Sequence, residues 1–254
     1  MCGPISEDTR ELLEVITLLI PPVFYILALE GKKTRFLYTV GLVFHLGAFV
    51  LRGVLLGWVP LTEKHDNLIF MSFVTALVYY YYLRKEEFEG MHIIGLPMVG
   101  ILSLLPLGYR TLNSVGPFIG TIWFYLHIFF FFSAMAFFFV SAIVGVFGIY
   151  TGKPLYERHQ YQTGLYGWAM LSFSMLFGSI WFYLAYGTYW LWTSKELWST
   201  ITWFFVGLYL HARMLRFMQG RPAMALGVMC LMAILFTYFG IGPGKIIQSP
   251  PTQF

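Results

Sequence analysis

The stretch 118–148, FIGTIWFYLHIFFFFSAMAFFFVSAIVGVFG, holds no charged side chain and is longer than a single bilayer crossing requires. About 20 apolar residues in a helix already cover the hydrocarbon, so the run reads as a membrane span with an extension, Pro117 to Tyr125, lying outside it. Working outward, comparable apolar runs lie at about 11–29, 36–58, 68–83, 93–109, 165–187, 198–217 and 223–241. The sequence therefore predicts an all-α, polytopic transmembrane bundle of about eight spans, with the short run 68–83 open to an alternative reading as a re-entrant segment.

Composition agrees. Of 254 residues, 58% are hydrophobic, 20% aromatic and only 11% charged, against roughly 25% charged in a soluble domain. No segment is left for a soluble domain, so residues 1–254 read as one integral-membrane domain. The opening residues are polar and acidic and do not read as a cleavable signal. Cys2 and Cys230 are far apart, and Cys230 lies in an apolar run, which suggests neither a redox pair nor a disulfide.

The net charge of +4 reports orientation rather than nucleic-acid binding, which is set aside. One set of loops carries Lys32, Lys33, Arg35, Arg84, Lys85, Lys153, Arg158, Arg213, Arg216 and Arg221; the other carries Arg10, Lys64, Arg110, Lys195 and Lys245. The richer set is expected on the cytoplasmic side, which puts both termini and the loop 187–198 on the extracytoplasmic side.

Ionisable side chains at membrane depth are costly and make functional candidates. His45 lies near the middle of the second span, and Arg52, seven residues on, shares its helical face. A neutral His45 bonded to a neighbouring helix is one reading; with Arg52 beside it, an iron ligand next to a haem propionate or a quinone headgroup is another. His127 starts the apolar part of the fifth span, and His211 lies toward the end of the seventh, where it either marks the interface or binds metal. Three imidazoles at two depths, walled by aromatic residues, suit axial ligation of haem iron. His65, His92 and His159 fall in polar loops and are expected to be solvated.

The segment Tyr189-Trp190-Leu191-Trp192-Thr193-Ser194-Lys195-Glu196-Leu197-Trp198 places Trp190, Trp192 and Trp198, with Trp203 beyond, where one helix leaves the membrane and the next enters. Interfacial anchoring explains part of this density. A stacking surface for a large flat ligand explains more, with Lys195 and Glu196 holding its polar edge or ordering the loop. No phosphate-binding loop, zinc-protease helix, serine elbow or intramembrane carboxylate pair is visible, so hydrolysis and phosphoryl transfer have no apparatus.

The run from Gly187 to Trp198, continued by Ile201-Thr202-Trp203 and Tyr209-Leu210-His211-Ala212-Arg213, resembles the tryptophan-rich haem-handling loop and following helix of the cytochrome c assembly family, of the CcsA (ResC) type. Weaker similarity extends to FHLGAFVLRGVLLGWVPL in the second span and to the Leu-His of the fifth. The resemblance implies a multi-helix membrane protein that binds haem b on the extracytoplasmic side, where the haem is joined to the thiols of an apocytochrome. It makes His127 the outer histidine before the loop and His211 the transmembrane histidine after it. Two departures stand out: Thr193 occupies the place of an aspartate and Tyr186 that of an early loop tryptophan, and the tail after His211 has no histidine.

These features support haem handling in cytochrome c biogenesis, as part of a haem lyase, in a bacterial-type inner or thylakoid-like membrane. An alternative is an electron-transfer subunit of a respiratory or multihaem complex, with haem between His45 and His211 or a bound quinone. A third is a non-haem anchor that docks an extracytoplasmic cytochrome. Other membrane subunits and a c-type cytochrome or apocytochrome are the expected partners.

Overall fold

The computed structural model describes residues 7–31, 33–109 and 120–241. Their regular structure is helical: α1 (Glu7–Leu27), α2 (Thr34–Leu56), α3 (Lys64–Leu83), α4 (His92–Leu104), α5 (Ile122–Thr151), α6 (Pro154–Tyr186), α7 (Ser194–Ala212) and α8 (Arg221–Leu235). A π-helical turn, Phe236–Gly240, continues α8. The chain termini and Pro117 of the expected extension lie outside the described residues, whereas Tyr125 belongs to α5.

Local chemistry sets the boundaries. The Thr121 hydroxyl accepts from the Phe124 N–H to start α5, and Gly152 ends it in the left-handed conformation, with φ 68°. Pro154 then opens α6 at a position where its missing N–H costs nothing. This two-residue turn is why α6 begins eleven residues before the expected span at 165. The basic segment there is the first three turns of a 33-residue helix, with Tyr156, Gln160 and Thr163 buried.

Among the described residues, six helical segments are long and apolar enough to cross a membrane: Leu12–Glu30, Thr34–Leu56, Glu86–Gly108, Ile122–Thr151, Pro154–Tyr186 and Arg221–Gly240. The chain is an integral membrane protein. The remaining two helices, α3 and α7, are more polar. The reason is clearest in α3, which packs against α1-flanked α2, α4 and α5 and buries His65, Asp66, Asn67, Ser72 and Thr75 among protein neighbours. A helix shielded from lipid on most sides has no need of a uniformly apolar surface.

α5 and α6 pack along their length, α8 leans on α5, and α7 on α8 and α6; α1 and α2 form a second group joined to the rest through α3 and α4. Short turns alternate between two faces, and the face bearing residues 187–193 also carries the start of α3, the start of α5 and the π turn after α8.

Candidate functional site

On that face a cavity of about 330 Å³ lies between α5, α6, the 187–193 loop, the start of α7 and the π turn. Its walls include Phe131, Phe132, Leu171, Met175, Phe182 and Tyr238, which make it largely apolar and aromatic. His127 and Trp181 line its inner side, and Trp190, Lys195 and Glu196 line its loop side.

His127 sits in a defined orientation. Its Nδ1 lies 2.9 Å from the Ser174 carbonyl oxygen, and the Ser174 hydroxyl donates to the His127 carbonyl at 3.1 Å, so α5 and α6 clasp each other here. With the Nδ1 proton given to a carbonyl, Nε2 is left as the lone-pair nitrogen, the arrangement a metal-binding imidazole needs. Nε2 has no hydrogen bond among the described residues. The Trp181 ring stacks parallel to the imidazole at 6.4 Å and 6°. Gly178 makes this possible, since a Cβ there would come within 2.6 Å of His127 Nδ1.

The loop is held by a capping box. Thr193 is the N-cap of α7: its hydroxyl accepts from the Glu196 N–H at 3.4 Å, and the Glu196 carboxylate accepts from the Thr193 N–H at 2.7 Å. The same carboxylate accepts from the Leu191 N–H at 3.2 Å. Glu196 thus orders the loop, one of the two roles its position suggested. Thr193, standing where the resembled family has aspartate, performs a task that aspartate also performs well.

The expected flat platform is not one surface. Trp190 lines the cavity, whereas Trp192, at φ 57°, is 65% exposed, and the two rings meet edge-on at 6.0 Å and 77°. Trp198 packs edge-on against Phe236 at 4.7 Å. Trp203 stacks on Trp168 at 5.0 Å, donating to the Ser172 hydroxyl at 2.8 Å. Helical spacing sends Trp198 and Trp203 to other faces of α7, which adjacency in sequence could not reveal.

His45 and Arg52 have partners inside the chain. His45 is fully buried, with Tyr25 Oη 3.1 Å from Nδ1 and Ser72 Oγ 3.1 Å from Nε2, so neither nitrogen faces an open site. Arg52 donates from Nε to Asp66 at 2.9 Å and from Nη1 to Glu14 at 2.7 Å. The anion expected beside Arg52 is therefore a pair of carboxylates, from α1 and α3. Asp66 was missed because α3 begins four residues before the expected span.

His211 is exposed near the end of α7, on the opposite face from the cavity, with Nδ1 2.8 Å from the Gly207 carbonyl oxygen of its own helix. His45 and His211 are thus carried by helices with different neighbours, α2 against α1 and α3, α7 against α6 and α8. His65, expected in solvent, is buried, with Nδ1 2.9 Å from the Pro106 carbonyl oxygen. His92 lies 2.9 Å from Tyr79 Oη, and His159 packs edge-on to Phe88. Ser174, Gly178, Trp181 and Tyr238 are site residues that sequence reasoning did not single out. A Ser and a Gly one turn apart on the span facing His127 were the available signal.

The sequence model of the family described as Cytochrome C assembly protein matches residues 58–246, from the turn after α2 onward. The chain is similar to the cytochrome c biogenesis protein CcsA of Gloeobacter violaceus, 39% identical over 75 residues, which is 30% of this chain and 22% of the relative. It is similar to CcsA of Prochlorococcus marinus, 35% identical over 85 residues, 34% of this chain and 27% of the relative. A similarity to CcsA of Guillardia theta extends over 89% of this chain and 90% of the relative at 22% identity. The stronger matches thus span about a quarter of those relatives' length.

Proposed function

Because the chain belongs to the cytochrome c assembly protein family, we propose that it is a membrane haem-handling protein of cytochrome c biogenesis, which takes haem into the cavity beneath the tryptophan loop and presents it at that face. The observation that carries this reading is the juxtaposition of His127, its Nε2 without a hydrogen bond among the described residues, with Trp190 and Lys195 of the loop around one aromatic cavity.

The donor set suits haem as cargo. An imidazole nitrogen is a good iron ligand, and the aromatic walls exclude water and offer stacking area to a macrocycle. Bound haem supplies the iron centre and vinyl groups to which apocytochrome thiols are joined. The chain's residues hold and expose it: Ser174 and Gly178 fix the His127 ring, and the Thr193–Glu196 box fixes the loop. A single strong ligand with stacking favours a cargo that must be released over one held permanently. The cavity face is assigned to the extracytoplasmic side from the charge asymmetry, with an apocytochrome and further membrane subunits as partners.

The electron-transfer alternative, with resident haem between His45 and His211, has less support, since His45 is saturated and His211 lies on another part of the bundle. The test is a titration of haem into the purified full chain in detergent, followed by absorbance in wild type and His127→Ala. Saturable uptake by wild type that is lost in the variant supports the reading. Equal uptake by both, or none by wild type, overturns it.

A further inference from the structure

Trp190, which lines the loop side of the cavity, carries a donor with no acceptor among the described residues. That donor, Nε1, is buried. An indole N–H only donates, so the group that would satisfy it is an acceptor.

Charge points the same way. Lys195 lines the cavity and forms no salt bridge within the described residues. The carboxylate beside it, Glu196, is committed to the backbone N–H groups of Leu191 and Thr193. Partial burial, and after it the nearby Lys64, hold the Lys195 ammonium below the ordinary lysine value. Lys64 itself stands 5.6 Å from the centre of the Tyr109 ring. Among the described residues the loop end therefore offers an N–H without an acceptor and, in Lys195, an ammonium without a salt bridge, while His127 belongs to the inner side.

We propose that this end is a carboxylate-binding site, in which Trp190 Nε1 and the Lys195 ammonium hold a propionate of haem and so select a tetrapyrrole with free carboxylates. The inference rests on the haem reading and adds which edge of the ligand faces the loop. Arg52 cannot serve instead, because Glu14 and Asp66 occupy it. The contact gives Trp190 a role beyond stacking.

The test titrates the full chain in detergent with haem and with haem dimethyl ester, whose carboxylates are blocked. Wild type is expected to bind the ester at least about tenfold more weakly, the scale of one hydrogen bond to a charged group. Trp190→Phe, which keeps an aromatic ring and removes the N–H, and Lys195→Met should each weaken haem binding about tenfold and ester binding by less, with Lys195→Arg restoring most of the loss. Equal affinities of wild type for haem and ester overturn the carboxylate site and leave the haem reading standing. Failure of wild type to bind either ligand overturns the haem reading and this inference with it. If Trp190→Phe does not fold, the ester comparison and the Lys195 variants still decide.

Discussion

The two places where this bundle buries chemistry differ in where the polar atoms are directed. In the α1–α3 group, His45 lies between Tyr25 and Ser72, and Arg52 lies between Glu14 and Asp66. Around the α5–α7 cavity, among the described residues, His127 has one nitrogen tied to Ser174 and no hydrogen bond at the other, Trp190 Nε1 has no partner, and Lys195 forms no salt bridge. The first set of contacts joins helices, and the second is the set to which the haem reading assigns a ligand. An intramembrane histidine is equally conspicuous in both sequences of residues, so rarity alone does not separate structure from function. What separates the two histidines is that His45 has a partner at both ring nitrogens and His127, among the described residues, at one.

The largest effect that could break this contrast is at Arg52. Arg52→Met leaves Asp66 and Glu14 without their cation, and should destabilise the fold by about 3–5 kcal/mol. Haem affinity per folded molecule should stay unchanged. Chemical denaturation in micelles measures the first and haem titration the second; a stable variant with lost haem binding would move Arg52 into the functional region. His127→Ala comes next, with haem affinity falling on the order of 100-fold while His45→Ala retains it, since only the former removes a ligand nitrogen facing the cavity. An inverted result from the two titrations would reverse the assignment of regions.

Gly178→Ala sharpens the contrast. The new methyl meets the His127 ring, so binding should weaken by about tenfold, within the range for residues that orient a ligand. Thr193→Ala removes the α7 cap and should cost about 1 kcal/mol in unfolding experiments, with Thr193→Asp close to neutral.

The smallest expected effect is alkaline. Lys195 is held below its ordinary value in the free protein, and a bound carboxylate raises it again. Its contribution to haem affinity is therefore complete below the lowered value and declines as pH rises through it, with a slope of at most about tenfold per pH unit. Haem titrations across that range should show the decline in wild type and not in Lys195→Met.

Much of the architecture was legible because long apolar runs have few alternatives: all eight expected segments correspond to helices. The errors arose where polarity and burial part company. His65 and Asp66 read as loop residues because a lipid-facing helix could not carry them, yet α3 is covered by other helices. The start of α6 was hidden for the same reason, since its basic residues sit on a helix that extends past the apolar zone. In the site, the loop and His127 could be found from residue type and position. Trp181 could not, because its role depends on how α6 lies against α5, and Ser174 only through its spacing from Gly178.

One residue of the loop governs what the tryptophans can report. In an extended segment, residues two apart share a face, and Trp190 and Trp192 would then look the same way. The left-handed backbone at Trp192, unusual for a bulky side chain, breaks that parity, leaving one indole in the cavity wall and the other in the surroundings. Three consecutive residues thus carry an inward and an outward sensor of the same fluorophore. In a chain whose other six tryptophans are replaced, loading of the cavity and approach of a protein from outside become separately readable in emission colour.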